Sequence, residues 1–279
     1  MRKYNIKDLL LKIIIFIIGI FALIPVVIVS LTIIIKGAPI VFREGIDFLT
    51  KTAPPPGGPA YGIAPAIIGS ALLGVLASVM GIPIAIAAAV MIRLYPSSRL
   101  ARVANVTAKS LMELPTVLIG MLVYILIVIP MHHFSILAGS IALAIVLLPY
   151  VLTYVEEALE QVPYKYLEAG YSLGMSKSQV ASKILLGVAR RGLVLGVLMG
   201  LTKALGETAP LLFTVGSARN SLSLNPLRPG DAIPLLIFDY IQAPYDNYRQ
   251  IAWGAGFILF TIFLALYILS KVLAGRVKY

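Results

Sequence analysis

The sequence predicts an all-α membrane protein with six transmembrane helices, and three observations carry that reading. Hydrophobic residues make up 59% of the 279 positions and charged residues 13%, with a mean hydropathy of +0.96. A soluble domain carries about 25% charged residues to face water, so a soluble enzyme and a disordered chain are both excluded. The charges that remain flank long uncharged stretches, each close to the ~20 residues that carry a helix across a hydrocarbon core of ~30 Å. Finally, 23 Lys and Arg against 12 Asp and Glu give a net charge of +11. In a membrane protein such an excess reports loop orientation and not a nucleic-acid partner.

The first span is residues 13–35, 23 residues between Lys12 and Lys36 and about 35 Å as helix. Its apolar run is too long for a signal peptide and no small-x-small site follows promptly, so it reads as an uncleaved anchor. The second span lies within 62–92 and ends at Arg93. Between Glu113 and Glu156 stand 42 residues without one Lys, Arg, Asp or Glu. That exceeds one bilayer crossing, and Pro130-Met131-His132-His133-Phe134-Ser135 breaks it into helices at 114–129 and 135–155, joined by a tight hairpin. The fifth span is 192–216 and the sixth 251–270. Sixteen basic residues lie in the N-terminus, loops 93–110 and 156–191 and the tail, against six on the opposite side. The positive-inside bias therefore puts both termini in the cytoplasm.

Two segments on the other side are sizeable. Residues 36–61 contain Pro54-Pro55-Pro56-Gly57-Gly58-Pro59, which reads as a stiff, exposed connector. Residues 220–250 combine turn formers with the run 233–237 and Phe238, Tyr240, Tyr245 and Tyr248. This is either an interfacial segment with Tyr at headgroup level or a docking surface for an external partner. In the cytoplasmic loop, Pro163 suits a helix start and Gly174 a helix stop. Between them Tyr164, Leu167 and Tyr171 form one stripe, with Lys165, Glu168 and Ser172 away from it. Ser176-Lys177-Ser178-Gln179 has capping-box spacing and starts a second helix leading into span five. The amphipathic helix either lies on the membrane surface or plugs into another protein.

Chemistry-bearing motifs are few. With no Cys there is no disulfide framework, Cys-ligated metal or Cys nucleophile. No P-loop, Ser/His/Asp arrangement or H-E-x-x-H occurs, so no catalytic residue, metal site or cofactor site is expected. His132 and His133 read as hairpin residues, and Glu113 as a solvated interfacial carboxylate. Lys203 and Glu207 differ, because they lie within span five at i, i+4. Each ionised group at that depth costs about 2.5–3.5 kcal/mol on insertion scales. They form either a neutralising structural pair or the polar lining of a pathway. Thr208 adds a hydroxyl, and Pro210 removes a backbone donor and frees a carbonyl nearby.

Glu168-Ala169-Gly170, Gly174, Ile184 and Leu186 resemble the EAA loop, E-A-A-x-x-x-G-x9-I-x-L-P, of type I ABC importer permeases. Gly170 stands for the second Ala and Gly187 for the final Pro. The stretch from Lys203 to Thr214, with Gly206-Glu207-Thr208-Ala209-Pro210-Leu211-Leu212 inside it, resembles R-A-x-G-E-T-A-P-L-L-F-T of the PstA-type phosphate permeases. Here Lys203 replaces the usual Arg, keeping charge but losing bidentate geometry. Pro115-Thr116-Val117-Leu118-Ile119-Gly120 is similar to that family's P-S-I-V-x-G, and Ala232-Ile233-Pro234-Leu235 to its last external loop. The likeness runs from about 63 to 274.

The resemblance implies a type I importer permease fold in the cell membrane. Residues 1–62 would be an anchor and external loop, 63–274 the transporter domain with coupling loop 156–191, and 275–279 a basic tail. It also implies partners: a homologous second permease in a heterodimer, two ATPase subunits and an extracytoplasmic phosphate-binding protein. Phosphate would pass Lys203, Glu207, Thr208 and Pro210. Tyr164, Leu167, Glu168, Ala169, Gly170, Tyr171, Gly174, Ile184 and Leu186 would couple the ATPase. The alternative within the superfamily is another oxyanion, molybdate or sulfate.

Overall fold

The computed structural model describes residues 6–58 and 62–274, which are helical and contain no strand. Helix α1 spans Ile6–Glu44, α2 Ile46–Thr50, α3 Ala64–Leu94, α4 Arg99–Glu113, α5 Thr116–Met131 and α6 Ile136–Glu160. Then follow α7 Tyr164–Ser172, α8 Lys177–Val188, α9 Arg190–Leu205, α10 Ala209–Leu212, α11 Ile233–Ile241 and α12 Asp246–Ala274. Among the described residues four helices, α1, α3, α6 and α12, are each long and apolar enough to cross a membrane. Two bent pairs, α4 with α5 at 105° and α8 with α9 at 76°, bring the number to six if each pair is one span. The hairpin between α5 and α6 falls at the expected residues. His132 closes it in the left-handed region at φ 58, and Ser135 caps α6 by accepting from the Ala138 N–H at 3.1 Å.

Helix α6 is the centre of the bundle. Leu143, Leu147, Val151, Val155 and Leu159 are buried and recur every four residues along it. Small residues face this row at the same interval: Ala77, Gly81, Ala85 and Ala89 on α3, and Gly192, Gly196 and Gly200 on α9. A Cβ at Gly81 would lie 2.9 Å from Leu147 Cδ2. Lipid gives helices no hydrophobic reason to associate, so close backbone approach through small residues supplies the dispersion contact instead. Polar loops then sort to two ends. Arg93 Nη2 donates to the Val162 carbonyl at 2.9 Å and Asn105 Nδ2 to Glu156 Oε1 at 2.9 Å at the coupling-loop end. At the opposite end Ile136 N–H donates to the Arg228 carbonyl at 3.0 Å.

Three expectations are corrected. Helix α1 does not end at residue 35 but continues through Pro39 to Glu44, because Ile40 is buried against Ile251, Ala252 and Ala255 of α12. Packing there outweighs the missing Pro donor. The proline run is exposed at Pro55, Pro56 and Gly57, as expected, but it is tied down at its start, where Ala53 and Pro54 are buried. Tyr248 Oη donates to the Pro54 carbonyl at 3.3 Å, and Asn247 Nδ2 to that of Pro55 at 3.4 Å. Prolines lack donors yet keep carbonyls, and α12 satisfies them; Pro59 lies outside the described residues. Third, span five is not one helix through residue 216. It stops at Leu205 and restarts as α10.

Candidate functional site

That stop places the charged pair. A helix running through 206–210 would need an N–H at 210 for the Gly206 carbonyl, and the Pro210 ring would collide with it. Gly206 has poor helix propensity. The chain therefore leaves the helix at Gly206, and Pro210 enters the first turn of α10, where its missing donor costs nothing. Lys203 stays on α9 while Glu207 sits in the break, so the two do not share a helix face as the sequence spacing suggests. They still meet, Lys203 Nζ to Glu207 Oε1 at 2.6 Å. The carboxylate side chain is 8% exposed and the ammonium side chain 42%. The Lys203 ammonium also stands 5.8 Å from the centre of the Tyr150 ring on α6. Tyr150 was invisible as a site residue in the sequence, where only its place after Pro149 in an apolar run marked it.

Thr208 and Pro210 are brought to the same break, with Thr208 as the residue before α10. A Cβ at Gly120 on α5 would lie 2.6 Å from Pro210 Cα. The two stretches that resemble phosphate permeases therefore touch, and only a glycine permits the contact. A charged pair, a hydroxyl and exposed backbone at a helix break form a polar interruption in apolar surroundings, suited to transient contact with an anion.

At the coupling-loop end, Leu173 follows the last residue of α7 as its cap, and Gly174 takes φ +77, the left-handed turn expected of it. Ser176 and Gln179 form the capping box: Ser176 N–H donates to Gln179 Oε1 at 2.9 Å and Gln179 N–H to Ser176 Oγ at 3.3 Å. Leu167 is buried, whereas Tyr164 and Tyr171 are exposed, so the stripe is one anchor flanked by two open rings. All three border a groove of about 540 Å³ that α4 closes with Arg102, Asn105 and Lys109. Glu168 and Ala169 face outward and are exposed. Gly170 packs on Ile184, to whose Cδ1 a Cβ would come within 2.5 Å, which explains a residue smaller than Ala there. Leu186 is half-buried on α8, and the chain turns by 76° at Ala189, two residues after Gly187.

Residues 81–279 match the family of binding-protein-dependent transport system inner membrane components. Over 266 residues the chain is 41% identical to the probable phosphate transport system permease protein PstA of Methanocaldococcus jannaschii, covering 94% of this chain and 92% of that one. It is 37% identical over 244 residues to the phosphate transport system permease protein PstA of Yersinia pestis, covering 85% and 82%. The fold is similar to a chain of the inward-facing MetNI methionine ABC transporter, with TM-score 0.61 at 16% identity, covering 78% of this chain and 95% of that one.

Proposed function

The chain belongs to the binding-protein-dependent transport system inner membrane components and, within them, to the PstA phosphate permeases, and we propose that it is the membrane-spanning subunit of an ATP-driven phosphate importer. In this reading each bent pair contributes one span, α5 and α9, the six spans leave both termini in the cytoplasm, and residues 63–274 form the transporter domain. The observation that carries it is the break at 206–208. There Lys203, the one cation that the sequence places inside a span, meets Glu207 while keeping a partly open ammonium.

Phosphate must shed water to cross an apolar layer, and one cation lowers that barrier without trapping the ion. Lys203 makes the transient contact; Glu207 holds the ammonium between passages and prevents a permanent anion well. Thr208 Oγ1 and the backbone beside Pro210 offer the exchanged hydration. At the cytoplasmic end, exposed Glu168 and Ala169 with Tyr164 and Tyr171 of α7 receive a separate ATPase. Closure of two ATPases moves α7 and rocks this subunit against a homologous second permease, which is alternating access. An extracytoplasmic phosphate-binding protein delivers at the opposite end.

Two experiments test the reading. Vesicles holding the assembled complex should accumulate phosphate on ATP addition and ignore equal sulfate or molybdate; preference for either competitor overturns the substrate. Single thiols in this Cys-free chain should label from outside at Ser223→Cys and from the cytoplasm at Ser178→Cys. Outside labelling at Ser178→Cys would invert the topology.

A further inference from the structure

The end of the bundle opposite the coupling loop carries a second ionic cluster, one that the pathway does not use. Arg219, in the loop after α10, pairs with Asp239 on α11 and lies 3.6 Å through Nε from Asp231 Oδ2 in the segment leading into α11. The Asp231 side chain is 0% exposed and that of Arg219 17%. Neither Asp231 carboxylate oxygen nor Arg219 Nε has a hydrogen-bond partner. The guanidinium also sits 4.9 Å from the centre of the Tyr240 ring, which stacks on Tyr248 of α12 at 4.1 Å. Below the cluster α11 is seated on α3: Ile233 N–H donates to Ser70 Oγ at 2.9 Å, and Asp231 backbone lies against Gly69. One cation thus joins the 216–231 loop, α11 and, through two rings, α12.

We infer that Arg219 is a positioning residue for transport, the pin of an outer latch that holds α11 on α3 through Asp231 and Asp239 and lets go when this end opens. The inference rests on the permease reading. Two carboxylates against one guanidinium leave a net negative charge, so the latch is no anion site. Its imperfect pairing makes it breakable, since buried donors and acceptors left without partners regain them from water once the end opens.

The same geometry couples the latch to protons. Burial pushes the Asp231 carboxyl up to about 6 from an ordinary 3.8, against the opposing pull of Arg219. The charged and titratable groups around it are Arg219 on the loop, Asp239 and Tyr240 on α11 and Tyr248 on α12; α3 contributes the neutral Ser70. In an opened, wetted latch Asp231 returns toward its ordinary value. The closed state therefore binds a proton more tightly, and closure is favoured as pH falls from above 6 toward 4. A difference of roughly two pH units corresponds to at most about a 100-fold change in the closed-to-open ratio.

The test uses the assembled transporter in vesicles with Ser70→Cys as reporter, its labelling normalised to Ser221→Cys, an exposed position. Arg219→Gln should raise normalised labelling at least fivefold at pH 7, while Arg219→Lys should restore most of the closure. In the otherwise wild-type chain, labelling should fall between pH 7 and 5; with Asp231→Asn it should be flat. Wild-type labelling in a normally inserted Arg219→Gln chain overturns the latch. If that variant fails to insert, the Asp231→Asn profile decides, and a slope equal to wild type overturns it. Labelling needs no phosphate, so loss of the substrate reading alone would leave these outcomes intact.

Discussion

Lys203 and Arg219 are both cations paired with carboxylates, and their surroundings set them apart. Lys203 has one carboxylate partner, at 2.6 Å, and leaves 42% of its side chain open. Arg219 has two, one of them on a side chain with 0% exposure, and is itself 17% exposed. A one-to-one pair whose ammonium is half open can exchange its partner for a passing anion without moving the chain around it. A buried triad cannot be approached without moving the chain around it. On the proposed reading the half-open ammonium is the place for substrate contact and the closed triad the place for gating.

Breaking the buried cluster should have the largest effect on stability. Arg219→Met leaves Asp231 buried without a counter-charge, which costs on the order of 3 kcal/mol. A thermal midpoint of the purified complex reads this. The sign of its pH dependence follows from Asp231, whose folded-state value of about 6 lies above the ordinary 3.8. Arg219 holds that value down, so without it the carboxyl moves higher still. The charge part of the variant's deficit is present at alkaline pH and should shrink as pH falls toward 6, where the carboxyl takes up its proton in both proteins. A midpoint equal to wild type at pH 7 would erase the contrast between the two clusters.

Next comes the packing beneath Lys203. Gly120→Val places a Cβ against Pro210 backbone, which cannot rotate away, and should cost about 1–3 kcal/mol. The control is Gly187→Ala, where a Cβ meets nothing within 4 Å and the effect should stay within about 0.5 kcal/mol. Equal midpoints for both would mean that α5 does not press on α10. Smaller again is Gly174→Val, whose φ of +77 costs a side chain about 1 kcal/mol or more. Uptake should nevertheless be abolished, because the turn sets where α7 presents Glu168; full uptake would remove α7 from coupling.

How much of this was legible in sequence depends on how local the signal is. The spans could be found because charge is excluded from lipid at every position of a helix. The Gly174 turn and the Ser176 capping box could be found because each is decided within four residues. The break at 206–208 was half visible: Pro210 announced it, but the run of apolar residues to 216 suggested a helix continuing past it. The latch was invisible, since Arg219 and Asp239 stand 20 positions apart and only tertiary packing buries Asp231. For the same reason the anchoring of Pro54 by Tyr248, 194 positions away, could not be read. Nothing within either segment encodes the other.

On the proposed reading Lys203 contacts phosphate and is not a structural cation. Glu207 is 8% exposed, so Lys203→Gln leaves a buried carboxylate without its counter-charge and costs stability as well; uptake is therefore compared per folded complex. The direct measurement is ATP-driven phosphate uptake by vesicles carrying Lys203→Gln, matched to wild type in the amount of folded complex, with Lys203→Arg beside it. Lys203→Gln should lose uptake at least tenfold and Lys203→Arg should keep it near normal. Phosphate carried by Lys203→Gln at the wild-type rate would make the pair structural.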